Sequence, residues 1–277
     1  MIGFLNGKFL DFSEMKLPVN DLGILRALAV FDFIYARGDR LFLPKEHFQR
    51  LFRSAEVLGL KVSDDYQKII NLTSKVLQKN RQKESIIRWL LTGGVASGLL
   101  VEKPTFAIIN EPYKQYSSEL YRQGAKAITV DFSREIFQAK TTNYQIAYKN
   151  YPKMLKAGAC EMIYIDRNIV FEGATSTLFI VKNGQVLTAK EGVLSGITGN
   201  LALKLLKKRK IEVSRKIIPN KELFFADEVF ITATNKKIMP VVKIDQRTIA
   251  DGVPGPITLK LIADFSNFEE RYFKSGS

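Results

Sequence analysis

The sequence predicts a two-domain protein of the mixed α/β (α+β) class. Its 277 residues exceed a usual single domain but fall short of three. Apolar residues recur at helical spacing in the first half, whereas the second half is richer in short strand-like runs. A polar stretch at 112–124 separates the two patterns. We therefore predict an N-terminal α/β domain at 1–111, a connection at 112–124 and a C-terminal domain at 125–277.

Two hairpins and two helices are predicted for the first half. The pair Asn6-Gly7 stands between short apolar runs and favours a two-residue turn with positive φ. A second hairpin is predicted around Arg37-Gly38-Asp39, between apolar residues at 29–35 and 40–43. Helices are expected at 45–58 and 66–77, and strands at 86–91 and 105–109.

The second half combines short strands with two helices. Asn183-Gly184 favours another hairpin turn, between strand-like runs at 178–181 and 185–187. Further strands are predicted at 127–130, 162–165 and 228–231, and helices at 198–208 and 256–265.

The composition is that of an ordinary globular protein, with 46% hydrophobic and 25% charged residues. Neither a long apolar window nor a basic N-terminal stretch leading into an apolar run is present, which predicts a cytoplasmic protein without a membrane partner. Cys160 and His47 are the only cysteine and histidine. An intramolecular disulfide is therefore excluded, and no metal site or Cys–His nucleophile pair is predicted. The chemistry must come from Lys, Arg, Glu, Tyr and Thr.

The net charge of +14 raises the question of nucleic acid, because a basic domain can concentrate on phosphate backbones. The cations are scattered, however. Short clusters such as Lys207-Lys208-Arg209-Lys210 resemble the solvated end of a helix, where positive charge complements the helix dipole. We predict a cationic surface that attracts anionic substrates, without a nucleic-acid partner.

Four short segments of the second half carry candidate functional groups. Lys140-Thr141-Thr142-Asn143-Tyr144 offers an amine, Glu172-Gly173 a carboxylate, and Ser195-Gly196-Ile197-Thr198 and Thr234 offer phosphate donors. This set suits one cofactor, pyridoxal phosphate (PLP), whose chemistry needs a lysine for covalent attachment, an acid beside the pyridine nitrogen and an anchored phosphate. Each segment alone also fits an ordinary interpretation, such as a solvated surface lysine or a threonine-capped helix. Their combination and order favour an enzyme.

These motifs resemble those of the class IV, or fold type IV, PLP-dependent enzymes, which include branched-chain aminotransferases, D-amino acid aminotransferases and aminodeoxychorismate lyases. The similarity runs from about Asn6 to Phe265. It implies that Lys140 is the Schiff-base lysine and proton shuttle, that Tyr144 hydrogen-bonds the phenolic oxygen of the cofactor, and that Glu172 is the partner of the pyridinium nitrogen. It also implies a homodimer and a larger C-terminal domain with a β-barrel-like core.

The resemblance implies a phosphate site built from two stretches and one arginine. The segment that contains Ile197 and Thr198 resembles the Leu-Pro-Gly-Ile-Thr-Arg motif that opens a helix beneath the phosphate, and Thr234 lies in a second phosphate-binding turn. Arg50 belongs to a match with the family's His-x-x-Arg-Leu helix, whose arginine reaches the same phosphate. The alternative for Arg50 is a helix-surface position, and His47 is interpreted as structural. The chain departs from the family's motifs with Thr177 for Asn, Ser195 for Pro and Gly199 for Arg.

The carboxylate of an amino-acid substrate needs a fixed cation or a pair of donors. Arg26 and Arg88 both stand within apolar runs interpreted as strands, where an unpaired guanidinium is costly unless it faces a ligand or a carboxylate. Ile86 replaces the tyrosine of the Tyr-x-Arg motif of branched-chain aminotransferases. The pattern resembles less typical D-amino acid aminotransferases of this fold, in which two arginines hold the carboxylate, and one of the two can come from the neighbouring subunit. The alternative is that Arg88 pairs internally with a carboxylate such as Asp32.

The sequence thus predicts a homodimeric PLP-dependent aminotransferase. It would move an amino group between an amino acid, branched-chain or D-, and a 2-oxo acid such as 2-oxoglutarate. Because one fold hosts several reactions, the carbon–carbon lyase activity of aminodeoxychorismate lyases stays open as an alternative. The alternative from another class is a cofactor-free basic binding protein.

Overall fold

The computed structural model describes residues 1–95, 101 and 103–275, and the chain folds as two compact units. The first unit consists of Met1–Lys114, Gln138–Asn143 and Tyr272–Ser277, and the second of Gln115–Phe137 and Tyr144–Arg271. The chain first leaves the first unit after Lys114, within the connection predicted at 112–124. It returns at 138–143, so Lys140 belongs to the first unit although it follows that connection in the sequence.

The first unit is built on a six-stranded sheet. All neighbouring strands are antiparallel, in the order β2-β1-β6-β5-β3-β4. In chain order the elements are β1 (Ile2–Leu5), β2 (Lys8–Asp11), α1 (Leu22–Leu25), β3 (Ala29–Arg37), β4 (Arg40–Leu41), α2 (Pro44–Val57), α3 (Tyr66–Asn80), β5 (Glu84–Thr92) and β6 (Thr105–Pro112).

The predicted elements of the first half are confirmed. Asn6 and Gly7 form the first hairpin turn with φ of 44° and 95°, a conformation that asparagine and glycine adopt more readily than other residues. The second hairpin turns at Gly38, whose φ is 59°. The two predicted helices are α2 and α3, displaced from the predicted bounds by three residues at most.

Strand β3 shows how alternation divides the first unit into two faces. Val30 and Ile34 are fully buried in a core that they share with apolar residues of α2 and α3. Successive side chains of a strand point to opposite faces, so Phe31 and Phe33 lie on the face away from these helices.

The second unit is built on a ten-stranded mixed sheet. Its order is β12-β11-β10-β14-β15-β7-β8-β9-β13, with β16 paired to β15. In chain order the elements are α4 (Ser118–Gln123), β7 (Ala125–Asp131), α5 (Gln145–Lys156), β8 (Glu161–Asp166), β9 (Ile169–Gly173), β10 (Thr177–Lys182), β11 (Gln185–Ala189), α6 (Ile197–Lys208), β12 (Val213–Lys216), β13 (Ile218–Pro219), α7 (Asn220–Phe224), β14 (Glu228–Ala233), β15 (Lys237–Ile244), β16 (Arg247–Thr248) and α8 (Pro256–Lys274).

The ten-stranded sheet curls back on itself. Strand β9 also contacts β10 and β11, which are distant from it along the sheet order. The predicted strands and the helix α6 are confirmed, and α8 extends beyond its predicted end to Lys274. With two sheets and flanking helices, the structure confirms the mixed α/β class.

Helix α5 is an element that the sequence analysis missed. Pro152 lies inside it, and a proline usually ends or kinks a helix because it lacks the N–H for the backbone ladder. Its apolar residues are also not confined to the buried face: Tyr148 and Leu155 are exposed, whereas Ala147 is buried. The predicted connection at 112–124 likewise contains a short helix, α4.

Among the residues that the structure describes, none of the helices combines the length and the apolar composition needed to cross a membrane.

Candidate active site

The Lys140 segment is held by β3, the strand whose Phe31 and Phe33 side chains lie on the face away from α2 and α3. The N–H of Phe31 donates to the carbonyl oxygen of Lys140 at 3.0 Å, and the N–H of Thr142 donates to that of Ala29 at 3.1 Å. The Lys140 segment therefore pairs with the start of β3 through an isolated antiparallel bridge between Val30 and Thr141. The ammonium of Lys140 lies 4.5 Å from the centroid of the Phe31 ring, a favourable cation–π contact.

Ser54 links the Lys140 segment to helix α2. Its buried hydroxyl accepts a hydrogen bond from the N–H of Lys140 at 3.0 Å and donates one to the carbonyl oxygen of Arg50 at 2.8 Å. Ser54 and Arg50 are one helical turn apart. The backbone positions of Lys140 and Arg50 are thus coupled through one side chain.

Arg50 is buried against Asp32, which contradicts the helix-surface alternative. Its Nε and Nη2 donate to the two oxygens of Asp32 at 2.9 and 2.8 Å, and Nδ1 of His47 lies 2.6 Å from the same carboxylate. Burial raises the pKa of Asp32, but the charges of Arg50 and His47 outweigh burial and hold this pKa far below its ordinary value of 3.8. Burial lowers the pKa of His47, although Asp32 opposes the shift. Asp32 thus occupies the Nε–Nη2 edge of the guanidinium, and Nη1 does not take part in this pair.

Arg88 lies on the same face as Lys140. It pairs with Phe33 across β3 and β5, and its guanidinium carbon lies 5.0 Å from the ring centroids of both Phe31 and Phe33. Nε and Nη2 of Arg88 also donate to Glu111 at 2.6 and 3.1 Å. An internal carboxylate partner was the predicted alternative, but the suggested partner, Asp32, is wrong because Asp32 holds Arg50.

Arg26 is not on a strand, which corrects the sequence interpretation. It follows the last residue of α1 and precedes β3. Its exposed guanidinium donates from Nη1 to the carbonyl oxygen of Leu25 at 2.9 Å. Because the guanidinium of Arg26 is exposed to solvent within this chain, it needs no ligand or carboxylate to compensate its charge.

Glu172 is a buried carboxylate of the second unit, 4% exposed at the end of β9. Its Oε1 forms an ion pair with Nε of Arg134 at 2.9 Å, and its Oε2 accepts a hydrogen bond from the N–H of Leu194 at 3.1 Å. Leu194 precedes the segment that opens α6. The carboxylate is therefore fixed next to the start of that helix.

Arg134 is a functional candidate that sequence analysis missed. Its Nη2 donates to the carbonyl oxygen of Ala174 at 2.6 Å, and its guanidinium carbon lies 5.5 Å from the Tyr144 ring and 5.7 Å from the Tyr164 ring. Burial lowers the pKa of Arg134, but the charge of Glu172, together with smaller contributions from Tyr144 and Tyr164, outweighs burial and raises this pKa. Burial also raises the pKa of Tyr164 to about 12. Nothing in the sequence separated Arg134 from the other cations of the chain.

The start of α6 has the chemistry that suits an anion. Ile197 and Thr198 open the helix after Gly196, which provides no side-chain cap, so the first N–H groups lack a capping acceptor from that residue. Thr177 of β10 and Thr232 of β14 are cross-strand partners, and both lie beside the start of α6.

Glycine is required at this helix start because the two threonines approach closely. A Cβ at position 196 would collide with Oγ1 of Thr177, and a Cβ at position 199 would lie 3.1 Å from that oxygen and 3.3 Å from Oγ1 of Thr232. Oγ1 of Thr232 is buried and has no hydrogen-bond partner among the described residues. Such an unsatisfied hydroxyl next to uncapped N–H groups suits an oxyanion. Thr234 follows β14 in the adjoining turn and is partly buried.

The predicted residues thus fall into two groups. The first unit brings together Lys140, Arg50 and Arg88, and leaves Arg26 exposed at the end of α1. The second unit holds Tyr144, Glu172, Ile197, Thr198 and Thr234.

Comparisons of sequence and of structure all match this chain to aminotransferases. Residues 29–244 match the family described as amino-transferase class IV. A Methanocaldococcus jannaschii protein, provisionally named a branched-chain-amino-acid aminotransferase, is 34% identical over 97% of this chain and 96% of its own length. The D-alanine aminotransferase of Staphylococcus epidermidis is 30% identical over 99% of this chain and 98% of its own. The crystal structure of the T.th. branched-chain amino acid aminotransferase with pyridoxamine 5'-phosphate superposes with a TM-score of 0.89 at 27% identity, over 96% of this chain and 93% of that one.

Proposed function

The chain belongs to the class IV aminotransferase family and is an aminotransferase, and from that premise we propose that its cofactor is PLP and that it transfers an amino group between an amino acid, branched-chain or D-, and a 2-oxo acid such as 2-oxoglutarate. Both kinds of amino donor appear in the names of the relatives.

The cofactor proposal depends on one observation: a hydrogen bond holds Glu172 next to the segment that opens α6. A buried carboxylate suits a protonated ring nitrogen, and an uncapped helix start with an unsatisfied hydroxyl suits a phosphate. The Leu194 N–H bond to Glu172 places the two next to each other in one unit. The residues present therefore fit PLP, which carries both groups.

PLP, when bound, supplies an electron sink for the negative charge that develops at the substrate Cα. Glu172 would stand at its ring nitrogen, with Arg134 compensating the buried carboxylate charge. The N–H groups of Ile197 and Thr198, the hydroxyl of Thr234 and Nη1 of Arg50 would bind the phosphate.

The role proposed for Lys140 is covalent attachment of the cofactor and transfer of the substrate Cα proton. Its backbone is fixed by Phe31 and Ser54, so its amine works from a defined base. Tyr144 would bind the phenolic oxygen of the cofactor, and its ring already faces the Arg134 guanidinium.

For the substrate carboxylate, we propose Arg88 together with Arg26. Arg88 is oriented by two aromatic rings and by Glu111, so an incoming carboxylate would compete with Glu111 for one guanidinium. Arg26 is exposed and would act from a neighbouring subunit of a homodimer. We also propose a cytoplasmic protein that binds neither nucleic acid nor a membrane.

The experiment is a cofactor and turnover assay on purified protein. Wild type should take up PLP and show its visible absorption band. Borohydride reduction should remove this band and leave a stable covalent label, the reduced cofactor, on Lys140. Lys140→Ala should lose turnover and the label, while Lys190→Ala, an exposed lysine elsewhere, should keep both. Wild-type protein that takes up no PLP would end the proposal.

A panel of D- and L-amino acids with 2-oxoglutarate then separates the reactions. Oxo-acid formation from any donor supports transamination. Turnover of aminodeoxychorismate without turnover of any amino-acid pair would favour the lyase alternative.

A further inference from the structure

A buried ion pair in the second unit connects two turns of the proposed cofactor site. Glu161 is the first residue of β8 and Lys236 lies just before β15; they are 2% and 3% exposed. Oε2 of Glu161 lies 3.3 Å from Nζ of Lys236. Removing two charges from water is costly, and a pair recovers that cost only with good geometry and further hydrogen bonds.

Glu161 supplies those hydrogen bonds by fixing one turn, residues 173–176. Its Oε2 accepts from the hydroxyls of Thr175 at 2.8 Å and Ser176 at 2.7 Å, and its Oε1 accepts from the N–H of Met162 at 2.9 Å. The turn closes with a bond from the N–H of Gly173 to the carbonyl oxygen of Ser176. A Cβ at position 173 would lie 3.0 Å from Cδ of Glu161 and collide with Oγ of Ser176, so the turn packs directly on the carboxylate.

The residues on both sides of this turn belong to the proposed site. Glu172 immediately precedes it, and Thr177, whose hydroxyl reaches the start of α6, immediately follows it. A shift of the turn would therefore move the ring acid and the wall of the anion site together.

Lys236 fixes the second turn, residues 233–237, to the first. Its Nζ donates to Oγ1 of Thr175 at 2.6 Å, so this hydroxyl accepts from Lys236 and donates to Glu161. The Lys236 carbonyl oxygen accepts from the hydroxyl of Tyr121 at 3.0 Å, and its ammonium lies 5.6 Å from the Tyr116 ring. Thr234, the proposed phosphate ligand, lies two residues before Lys236 in the same turn.

We propose that Glu161 and Lys236 are positioning residues, which set the spacing between Glu172 and the phosphate-binding residues around Thr234 and the start of α6. Neither touches the cofactor; both act through the two turns. The proposal rests on the proposed PLP function. A cofactor with fixed dimensions between ring nitrogen and phosphate needs both of its ends held at a matching distance, which a buried pair hydrogen-bonded to both turns provides.

The test is the affinity of the apoprotein for PLP, measured by equilibrium dialysis. Glu161→Gln and Lys236→Met, each at a temperature where circular dichroism shows the folded state, should raise Kd roughly tenfold or more, as loss of supporting partners does at other sites. The matched control is Glu228→Gln. Glu228 is also buried and accepts from backbone and hydroxyl donors of Ile257 and Thr258, but it lies at the opposite end of β14 from Thr234. This control should lower thermal stability and leave Kd unchanged.

A second readout separates positioning from mere stability. In the PLP-bound variants of Glu161 and Lys236, the pH at which the visible band shifts should differ from wild type, because the ring acid has moved; in Glu228→Gln it should not. Unchanged Kd and an unchanged spectral titration in folded Glu161→Gln and Lys236→Met would overturn the proposal, as would an equal rise of Kd in Glu228→Gln. If Lys236→Met does not fold, Lys236→Arg keeps the charge but not the compact ammonium and should show the same loss of affinity. Failure of wild type to bind PLP would instead refute the proposed function.

Discussion

Arg134 compensates the charge of Glu172, and this dependence can be measured. Removing one partner of a buried ion pair leaves an uncompensated charge, which typically costs about 3–5 kcal/mol. Because the side chains of Arg134 and Glu172 are only 14% and 5% exposed, Arg134→Met should lower the free energy of unfolding of the apoprotein by an amount of this order. Urea unfolding measures the change.

Two control variants separate loss of the buried ion pair from loss of any positive charge. Arg122→Met removes an exposed arginine of α4 and should change stability by less than about 0.5 kcal/mol. The double variant Arg134→Met/Glu172→Gln removes both charges and should recover part of the loss. Equal stability of Arg134→Met and wild type would contradict the assigned ion pair.

We predict that the stability of the protein depends on pH through His47. Because the chain has only one histidine, no other imidazole contributes to this effect. Burial holds its pKa in the folded state below the ordinary value of 6.5. The folded protein then binds fewer protons than the unfolded chain, so the stabilisation is complete above pH 6.5 and is lost as pH falls below it. The slope from one such group is at most about 1.4 kcal/mol per pH unit.

The measurement is urea unfolding between pH 7.5 and pH 5. Asp32, whose pKa is also depressed, adds a second loss only as pH falls below its ordinary value of 3.8. His47→Asn keeps a donor for Asp32 but no titrating ring, so its stability should be flatter than that of wild type in this window. Parallel curves for the two proteins would show that His47 does not titrate on unfolding as inferred.

At the scale of elements, the start of α6 depends on a missing side chain. Gly196 has φ −73° and ψ 129°, which any residue adopts, so its requirement for glycine is steric. Alanine there would displace the Thr177 hydroxyl, and overpacking of this kind costs about 1–3 kcal/mol. Gly196→Ala should therefore weaken PLP binding by about tenfold, which corresponds to about 1.4 kcal/mol.

The rescue variant tests the cause of this loss. Cβ of Thr177 lies 3.5 Å from the added Cβ, an ordinary contact, so Thr177→Ala removes the colliding atom and leaves an allowed contact. Gly196→Ala/Thr177→Ala should bind PLP about as well as Thr177→Ala alone. If the double variant is no better than Gly196→Ala, the collision with Thr177 is not the reason for glycine.

Elements differ in how far their sequence predicted them. Helices α2 and α3 each bury one apolar stripe, so periodicity found them within a few residues. Helix α5 carries exposed tyrosines and an internal proline, and its pattern therefore contradicted its structure. The face of α5 that is buried or half-buried carries Ile146, Ala147 and Met154 but also the polar Asn150, so its apolar signal is interrupted.

The candidate site was predictable where it depends on consecutive residues. Lys140 and Glu172 stand in compact motifs, whereas Arg134, Glu161 and Lys236 gain their partners through strand register and turn geometry. Nor could a linear motif show that the short segment around Lys140 folds with the first unit, since its pairing partner in β3 lies more than a hundred residues earlier. Such pairings depend on the complete fold.

At the scale of the whole molecule, the net charge of +14 predicts electrostatic attraction of anionic substrates. The effect should be stronger for a dianionic 2-oxo acid, such as 2-oxoglutarate, than for a monoanionic one, such as pyruvate. Raising ionic strength from about 0.01 M to about 0.1 M shortens the Debye length from about 30 Å to about 10 Å and screens this attraction.

We therefore expect kcat/KM for 2-oxoglutarate to fall several-fold over this range, and kcat/KM for pyruvate to fall by less, as measured by initial rates with one amino donor. Comparing two acceptors on one protein cancels any effect of salt on folding or on cofactor binding, because both reactions share those steps. Potassium glutamate in place of sodium chloride would compete as a substrate, so the salt must be one without an amino or oxo group. Equal salt dependence for the two acceptors would show that the positive charge lies where it does not act on the approaching substrate, and would assign it to the general surface instead.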